Sequence, residues 1–295
     1  MGITAVDDLV ELPEFPVSGG KMQVLRTSRQ CGGICATALV TAARLGLRCM
    51  YGGLLGEDEL SAFVRGVLHG EGIATPEALA HPEARPYHST ILVERASGER
   101  TILFSSEGVV EPAPGDLRAD LLLASRAFFA DWLGPAATLE ACRLAKANAI
   151  PIIADMEHVL SGDVREIMAL VDHLIVPLNL AAEVTGTGEP EQAVRLLAGQ
   201  GRACTAVTCG KRGCWYVEAS DPGMVRHQPA FEVKVVDTTG CGDVFHGAYA
   251  AAQVWGYPVH QALRFAAAAA ALKATRAGGQ AGIPDRAAVE KFLAQ

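Results

Sequence analysis

The sequence predicts an α/β fold, in which helices cover both faces of a mostly parallel central sheet and a small second sheet lies beside it. Two observations support the main body: short apolar runs recur along the chain, and amphipathic helical stretches separate them. A third observation, two segments that interrupt this alternation, supports the second sheet. Alternating strands and helices form right-handed βαβ units whose strands run parallel.

The apolar runs are continuous, as expected where helices cover both faces of a sheet. They predict strands at residues 126–130, 150–154, 173–176 and 205–208. Helical patterns lie between them, for example at residues 137–147 and 191–197. The segment Cys214–Glu218 alternates in polarity after a glycine, which predicts a local hairpin.

Residues 9–30 and 87–104 alternate between β-branched and polar side chains, with turns at residues 18–20 and at Ser97-Gly98. They predict a small antiparallel sheet that acts as a lid and excludes water from a cleft. Because no linker-like composition divides the chain, we expect residues 1–295 to form a single domain with these strands inserted. Exposed strand edges tend to pair with a second copy, so we expect a homodimer.

The composition excludes several classes of protein. A net charge of −8 and a pI of about 5.5 leave no basic field for nucleic acid. The alanine-rich stretch 266–272 is too short to span a membrane and is flanked by Arg264 and Lys273, so we expect a buried helix. The 8 cysteines include no CxxC pair, which indicates reduced thiols in a cytoplasmic protein.

The strongest chemical signal is the run DTTGCGDVFHG at residues 237–247, which opens an alanine-rich helical pattern. Gly240 and Gly242 allow successive amides to point at one place, at a helix N-terminus that favours anions. Such amides stabilise the charge on a phosphoryl group in transfer. Asp243 lies in the same turn, where we expect it to stay ionised and to accept a hydroxyl proton. A glycine turn with a capping aspartate is the alternative interpretation.

This run resembles the DTTGxGDxFxGA motif of the ribokinase or PfkB family of carbohydrate kinases. The resemblance extends along the chain through Gly32-Gly33, Thr208-x-Gly210-x-x-Gly213 and Gly278-Gly279. It is closest to bacterial ketose-type members, which are ketohexokinase-like and sulfofructose kinase-like. It implies a ribokinase-like three-layer α/β/α fold with a small β-sheet lid.

The resemblance also implies roles for individual residues. Asp243 would be the general base, and Gly240, Cys241 and Gly242 would form the anion hole. Sugar contacts are implied at Asp7, Gly32, Gly33, Thr37 and Asp131. Nucleotide contacts are implied at Thr208, Gly210, Gly213, Thr238 and Gly279, with ATP and Mg²⁺ as cofactors. A monovalent cation, potassium, is implied at Asp237 and Thr239.

Purely structural alternatives stay open for four of these positions. Asp7 is also compatible with a surface acid beside Asp8, and Asp131 with a helix cap. Asp237 and Thr239 are also compatible with a turn that fixes the loop.

Four departures from the family pattern limit the resemblance. Thr37 stands where many members have Asn, and Cys241 replaces a small Ala; a thiol at a helix N-terminus can be reactive. The NxxE motif is missing, because Asn179 and Glu183 are spaced one residue too far apart and are expected to be helix-start residues. Residues 131–134 contain no Arg for a sulfonate, which weakens the sulfofructose assignment.

Two function classes follow. The first is an ATP-dependent kinase acting on a small sugar, with a ketose such as fructose or a derivative as first candidate; ribose, a sugar acid or a nucleoside are alternatives. The second is a regulatory protein that binds a sugar or nucleoside on the same fold with little turnover. A dinucleotide-dependent oxidoreductase is set aside, because no GxGxxG follows the first strand.

Overall fold

The computed structural model describes residues 1–96, 99–158, 162–199 and 201–295. The strands in these ranges are β1 (Ala5–Leu12), β2 (Arg26–Gly32), β3 (Tyr87–Glu94), β4 (Arg100–Ser105), β5 (Phe128–Ala130), β6 (Ile152–Asp155), β7 (His173–Pro177), β8 (Cys204–Thr208), β9 (Cys214–Glu218) and β10 (Asp221–Gln228). The helices are α1 (Ile34–Arg44), α2 (Glu59–Gly70), α3 (Ala119–Leu123), α4 (Pro135–Ala147), α5 (Gly162–Leu170), α6 (Leu178–Thr185), α7 (Pro190–Leu197), α8 (Cys241–Val254), α9 (Val259–Ala274) and α10 (Arg286–Leu293).

A six-stranded sheet forms the centre, in the order β10-β9-β8-β7-β6-β5. Strands β5 to β8 are the four predicted strands, and they pair in parallel. Strands β9 and β10 form the predicted hairpin and extend the sheet antiparallel to β8. The expected α/β fold with a mostly parallel sheet is therefore confirmed.

Alternate side chains of the central strands enter two separate cores. Ile153 and Ile175 pack in one core with side chains of α1, α2, α8 and α9. Ile152 and Leu174 pack in the other core with side chains of α4, α5, α6 and α7. Because both faces are buried, the strands are apolar throughout, which explains their continuous pattern in the sequence.

The second sheet has four strands in the order β2-β1-β3-β4. The prediction of an antiparallel sheet is wrong for its central pair, because β1 and β3 are parallel. The physical reason is the crossover between them: α1 and α2 return the chain to its starting edge. The sheet also begins earlier than expected, at Ala5. The predicted turn at Ser97-Gly98 lies outside the described residues.

The first residues of the chain connect the two sheets. The Met1 ammonium donates to the Phe129 carbonyl over 2.7 Å, and the Asp131 amide donates to the Met1 carbonyl over 3.4 Å. Met1 to Ile3 thus run beside β5 before the chain enters β1. Among the described residues, we find no helix with both the length and the apolar character that crossing a bilayer requires. The stretch 266–272 lies within α9 and is largely buried, as predicted.

Candidate active site

The ends of the parallel strands and the start of α8 meet at one edge of the central sheet. Asp155 ends β6, and Asp131 directly follows β5. Helix α8 is held at this edge through His246, whose Nε2 donates to the Ile175 carbonyl of β7 over 3.0 Å. Ligands of open α/β sheets bind at this edge, so it is the candidate active site.

The loop before α8 presents free amides to solvent. Gly240 has a φ of +73° and is the N-cap of α8. Because the helix begins at Cys241, the amides of Gly242 and Asp243 have no helical carbonyl to bond. Gly242 is exposed, and a Cβ placed there would meet nothing within 4 Å. The Cys241 amide instead donates to the Thr238 carbonyl over 3.2 Å. The amides of Gly242 and Asp243 are therefore available to an anion.

Two other predicted site residues, Gly279 and Thr37, lie against Gly240. A Cβ placed on Gly240 would lie 3.0 Å from the Gly279 carbonyl oxygen and 3.5 Å from Thr37 Cγ2. Thr37 is buried beneath the loop, and its hydroxyl accepts a hydrogen bond from Gln280 Nε2 over 3.3 Å. Thr37 therefore packs against residues 238–243, called the anion loop below, and its predicted sugar contact stays a prediction.

The Asp243 carboxyl is only partly exposed and lies among other acids. Burial raises its pKa well above the usual range, and the carboxylates of Asp155 and Glu157 raise it further, while His246 opposes them. The surroundings of Asp243 therefore oppose its ionisation, and the expectation that it acts as an ionised base stays a prediction. A base whose pKa lies closer to neutrality is better matched to general-base catalysis.

Strand alternation separates Asp7 from its neighbour Asp8. Asp7 pairs across the sheet with Gln30 and Ser89, whose side chains hydrogen-bond its carboxylate. Gln30 Oε1 in turn accepts from the Gly279 amide over 3.1 Å, so this face of the sheet looks onto the anion loop. Burial raises the pKa of Asp7.

Asp8 lies on the opposite face of β1. It accepts from Arg29 Nε over 2.7 Å and lies 2.8 Å from His88 Nε2. Arg29 also bonds Glu59 at the start of α2. Asp8 therefore belongs to an ion network against α2, whereas Asp7 faces the cleft.

The paired glycines bring the start of α1 against the first residues of the chain. A Cβ on Gly32 would lie 2.3 Å from Asp7 Oδ2. Gly33 has a φ of +93°, and its Cβ would lie 2.6 Å from the Ile3 carbonyl oxygen. Neither position has room for a side chain, so the backbone approaches the cleft closely at this point.

Asp131 is fully buried at the end of β5. Its carboxylate accepts from the Ile3 amide over 2.6 Å and from the Leu133 amide over 2.9 Å. Burial raises its pKa to about 7. These bonds favour the capping interpretation, with the added function of fastening the first residues to β5. A direct sugar contact at Asp131 stays a prediction.

The predicted nucleotide residues lie mainly at the end of β8. Thr208 ends the strand, and residues Gly210–Arg212 form a single 3-10 turn. Gly213 has a φ of +84°, and a Cβ there would lie 2.1 Å from the Gln228 carbonyl of β10. Thr238 is exposed beside the anion loop, on the same edge.

Asp237 and Thr239 form a tightly bonded turn. Asp237 Oδ1 accepts from the Thr239 amide over 2.8 Å and from its hydroxyl over 2.7 Å, while Oδ2 accepts from the Gly278 amide over 2.8 Å. Burial acts to raise the pKa of Asp237, but these bonds lower it overall. Two cations adjoin the turn: Arg100, and buried Lys273, whose Nζ donates to the Asp237 carbonyl over 2.9 Å.

Sequence reasoning missed Arg100, Lys273, Asp155 and His246. His246 stands inside the motif at a variable position, and Asp155 ends a predicted strand at the ligand-binding edge, so both carried a signal. Arg100 and Lys273 come from distant segments, and only the fold brings them together. Burial raises the pKa of the Cys241 thiol, which donates to the Ala270 carbonyl over 3.6 Å, so its surroundings disfavour the reactive thiolate.

Comparisons with known proteins agree with this geometry. A family model described as pfkB family carbohydrate kinase matches residues 2–286. The ribokinase of Bacillus subtilis is 28% identical over 99% of this chain and 98% of its own length. The fructokinase of Vibrio alginolyticus is 27% identical over 90% of this chain and 92% of its own. The crystal structure of a Thermotoga maritima ribokinase superposes with a TM-score of 0.85, at 26% identity over 100% of this chain and 98% of that one.

Proposed function

Since the chain belongs to the pfkB family of carbohydrate kinases, which phosphorylate sugars with ATP, we propose that it phosphorylates a hydroxyl of a small sugar with Asp243 as general base. The observation that carries this proposal is the position of Asp243 in the first turn of α8, where the backbone amides of Gly242 and of Asp243 itself are free. One turn thus offers both a proton acceptor and donors for a transferring phosphoryl group.

The acceptor sugar would lie between the anion loop and the second sheet. Asp7 is the carboxylate on that face of β1, where it can accept hydrogen bonds from sugar hydroxyls. Gly32 and Gly33 leave the backbone accessible beside it. Asp243 would take the proton of the attacking hydroxyl as it forms a bond to the γ-phosphorus of ATP, and ADP would leave.

A ketose such as fructose or a derivative is our first candidate substrate. The sequence likeness to ketose-type kinases supports it, and a fructokinase is among the relatives. Ribokinases are equally similar overall, so ribose is the first competitor, followed by a sugar acid or a nucleoside. The missing Arg in residues 131–134 counts against a sulfonated sugar.

ATP is the phosphoryl donor of the family, and its phosphates require a counter-charge. The exposed amides at the start of α8 fit an anionic phosphate. Mg²⁺ would be held mainly by the phosphates and water, since it binds few protein ligands in kinases. In the described part of the chain, no group of three or more acidic, histidine or cysteine side chains forms a ready metal site.

Potassium at Asp237 and Thr239 stays a prediction. The Asp237 carboxylate already accepts from Thr239 and Gly278, and Arg100 and Lys273 adjoin it. These contacts favour the interpretation of the turn as a loop-fixing element. A potassium ion bound here would therefore add its positive charge to those of Arg100 and Lys273.

A regulatory protein that binds a sugar or nucleoside with little turnover is the second candidate. The missing NxxE motif favours it, and so does Thr37, which supports the anion loop in place of the Asn common in the family. Against it, a pure sensor does not need a base in the first turn of α8.

We also propose a cytoplasmic homodimer that does not engage nucleic acid or membranes. The edge strand β4 is exposed along its length, with Leu103 at 55% and Phe104 at 71% exposure. An apolar exposed edge strand favours pairing with a second copy. Light scattering that shows only monomer at micromolar concentration would contradict this part of the proposal.

The test is ADP release from Mg-ATP with a panel of ketoses, aldoses, sugar acids and nucleosides, for the wild type and Asp243→Asn. A positioned general base contributes about 10²–10⁴ in rate. We expect one sugar to stimulate ADP release and Asp243→Asn to lose at least a hundredfold of it. Full activity in Asp243→Asn would refute the assignment of the base. Thermal stabilisation by a sugar without turnover would favour the regulatory protein.

A further inference from the structure

His246 lies one turn into α8, directly beneath the anion loop, and is 2% exposed. Its Nδ1 lies 2.9 Å from Asp155 Oδ2 and 2.9 Å from the Gly242 carbonyl oxygen. Its Nε2 lies 3.0 Å from the Ile175 carbonyl oxygen. The ring therefore joins three elements: α8, β6 and β7.

All three partners can only accept hydrogen bonds when Asp155 is ionised. Nε2 must carry a hydrogen to bond the Ile175 carbonyl, and Nδ1 must carry one to bond Asp155 and Gly242. A ring with hydrogens on both nitrogens is an imidazolium cation. With Asp155 as a carboxylate, the geometry thus assigns a positive charge to His246. In agreement, burial lowers its pKa, but the Asp155 carboxylate and the two carbonyls outweigh burial and raise it to about 9.

A second buried histidine, His173, shows that burial in this protein does not by itself favour a protonated imidazole. His173 Nδ1 lies 2.8 Å from the Tyr249 hydroxyl, which can donate as well as accept. Burial lowers the pKa of His173 to about 4. The contrast comes from Asp155, which bonds His246 directly, whereas His173 has only an electrostatic attraction to Asp172 that Lys146 opposes.

Several charged and titratable groups act on Asp243 from the elements packed around it. The carboxylates of Asp155, Glu157 and Asp131 raise its pKa, and His246 is the cation that opposes them. Asp243 also interacts with Cys35 on α1, Cys241 on its own helix and Lys273 on α9. Lys273 lies on the side of the Asp237 turn, whereas His246 lies on the side of the three acids.

We propose that His246 is a positioning residue: its imidazolium, paired with Asp155, fixes the first turn of α8 and keeps Asp243 anionic at neutral pH. This inference rests on the proposed role of Asp243 as the base. The imidazolium also donates a hydrogen bond to the Gly242 carbonyl and so fixes this peptide in the helix. The amides of Gly242 and Asp243 then stay directed at the transferring phosphoryl group. His246 itself touches neither sugar nor nucleotide in this arrangement.

The first test needs no activity. In wild-type protein with ¹⁵N-labelled histidine, NMR should show His246 doubly protonated from pH 6 to pH 8, while His173 stays neutral. A neutral His246 ring at pH 7 would overturn the proposal. Asp155→Asn should lower the pH at which His246 loses its proton, and an unchanged titration there would equally contradict the pairing.

The second test is the pH dependence of kcat/KM for His246→Asn, with His173→Asn as matched control. Removing a nearby cation shifts a carboxyl pKa by about one unit or more, so the acid limb of the profile should move to higher pH by that amount. Activity at pH 7 should fall and should recover at alkaline pH. The control should keep the wild-type profile.

Two results would separate failures of different kinds. An equal loss of activity by His246→Asn at every pH would show a merely structural role and overturn the proposal. Wild-type activity in Asp243→Asn would instead refute the base, and with it the functional part of this inference, while the protonation state measured by NMR would stand.

Discussion

Arg100, on the edge strand β4, donates a hydrogen bond from Nη1 to the hydroxyl oxygen of Thr239, in the turn that precedes α8. The same nitrogen lies 3.4 Å from Asp237 Oδ1. This contact joins the four-stranded sheet to the anion loop across the cleft. It places a positive charge beside the loop that we propose binds the phosphates of ATP.

Arg100→Gln should weaken ATP binding more than it weakens the fold. A charge-assisted hydrogen bond contributes about 1.5–3 kcal/mol, so we expect KM for ATP to rise about tenfold or more. The change in the free energy of unfolding should stay below about 1 kcal/mol, because the pair is partly exposed. Steady-state kinetics and urea titration measure the two effects. Arg95→Gln, which breaks an ion pair with Glu11 on the same sheet, should leave KM unchanged.

Asp243→Asn should stabilise the protein while it abolishes activity. The folded pKa of Asp243 lies above its unfolded value, so its ionisation opposes folding as pH rises from about 4 through the folded pKa. Each unit of that shift corresponds to about 1.4 kcal/mol. The variant should therefore melt at a higher temperature than the wild type at pH 8, with a smaller difference at pH 5.

Asp120→Asn is the control for this stability gain. Asp120 is exposed and pairs with Arg118, which lowers its pKa, so its loss should give no stabilisation at pH 8. If Asp243→Asn melts below the wild type at pH 8, the ionised Asp243 carboxylate beside Asp155 and Glu157 does not destabilise the folded protein.

Gly247→Ala should destabilise the protein strongly. A Cβ at this position would lie 2.3 Å from the Ala38 carbonyl oxygen and 2.8 Å from Thr41 Cβ, where α1 crosses α8. Overpacking of this kind costs about 1–3 kcal/mol. Gly66→Ala, exposed in α2 with open space around it, should instead stabilise by up to about 1 kcal/mol. Chemical denaturation of both variants checks the sign.

Lys273→Met should increase the dependence on potassium. The buried Lys273 ammonium donates to the Asp237 carbonyl, so it supplies charge beside the turn where potassium is predicted. We expect a smaller stimulation by potassium chloride over choline chloride in the wild type than in the variant. Lys291→Met, on the exposed face of α10, is the control. Equal stimulation by potassium in the wild type and both variants would show that Lys273 does not influence the response to potassium.

The sequence was sufficient for the central sheet because each of its strands is apolar on both faces. It failed on the direction of β1 against β3, since two helices intervene and a pattern of alternation does not state which strands become neighbours. The lid was predicted to be purely antiparallel because its turns indicate hairpins, and a hairpin joins antiparallel neighbours. The pairing of β1 with β3 is not made by a hairpin.

The candidate site divides in the same way. Asp243 and its glycines were predictable, because one short run contains both the helix start and the base. The raised pKa of Asp243 was not, because its burial and the nearby carboxylates of Asp155 and Glu157 arise only after β6 and α8 pack together. The choice between Asp7 and Asp8 likewise needed the register of β1.

That register has a consequence for engineering. Asp7 and Asp8 are consecutive, so deleting or inserting one residue within β1 would exchange the carboxylate that faces the cleft for the one that faces α2. Residues 13–24, between β1 and β2, lie outside the paired register of these strands and are free of that constraint. Chimeras that take their second sheet from a relative should therefore place length differences in that loop and preserve the spacing from Ile3 to Asp7.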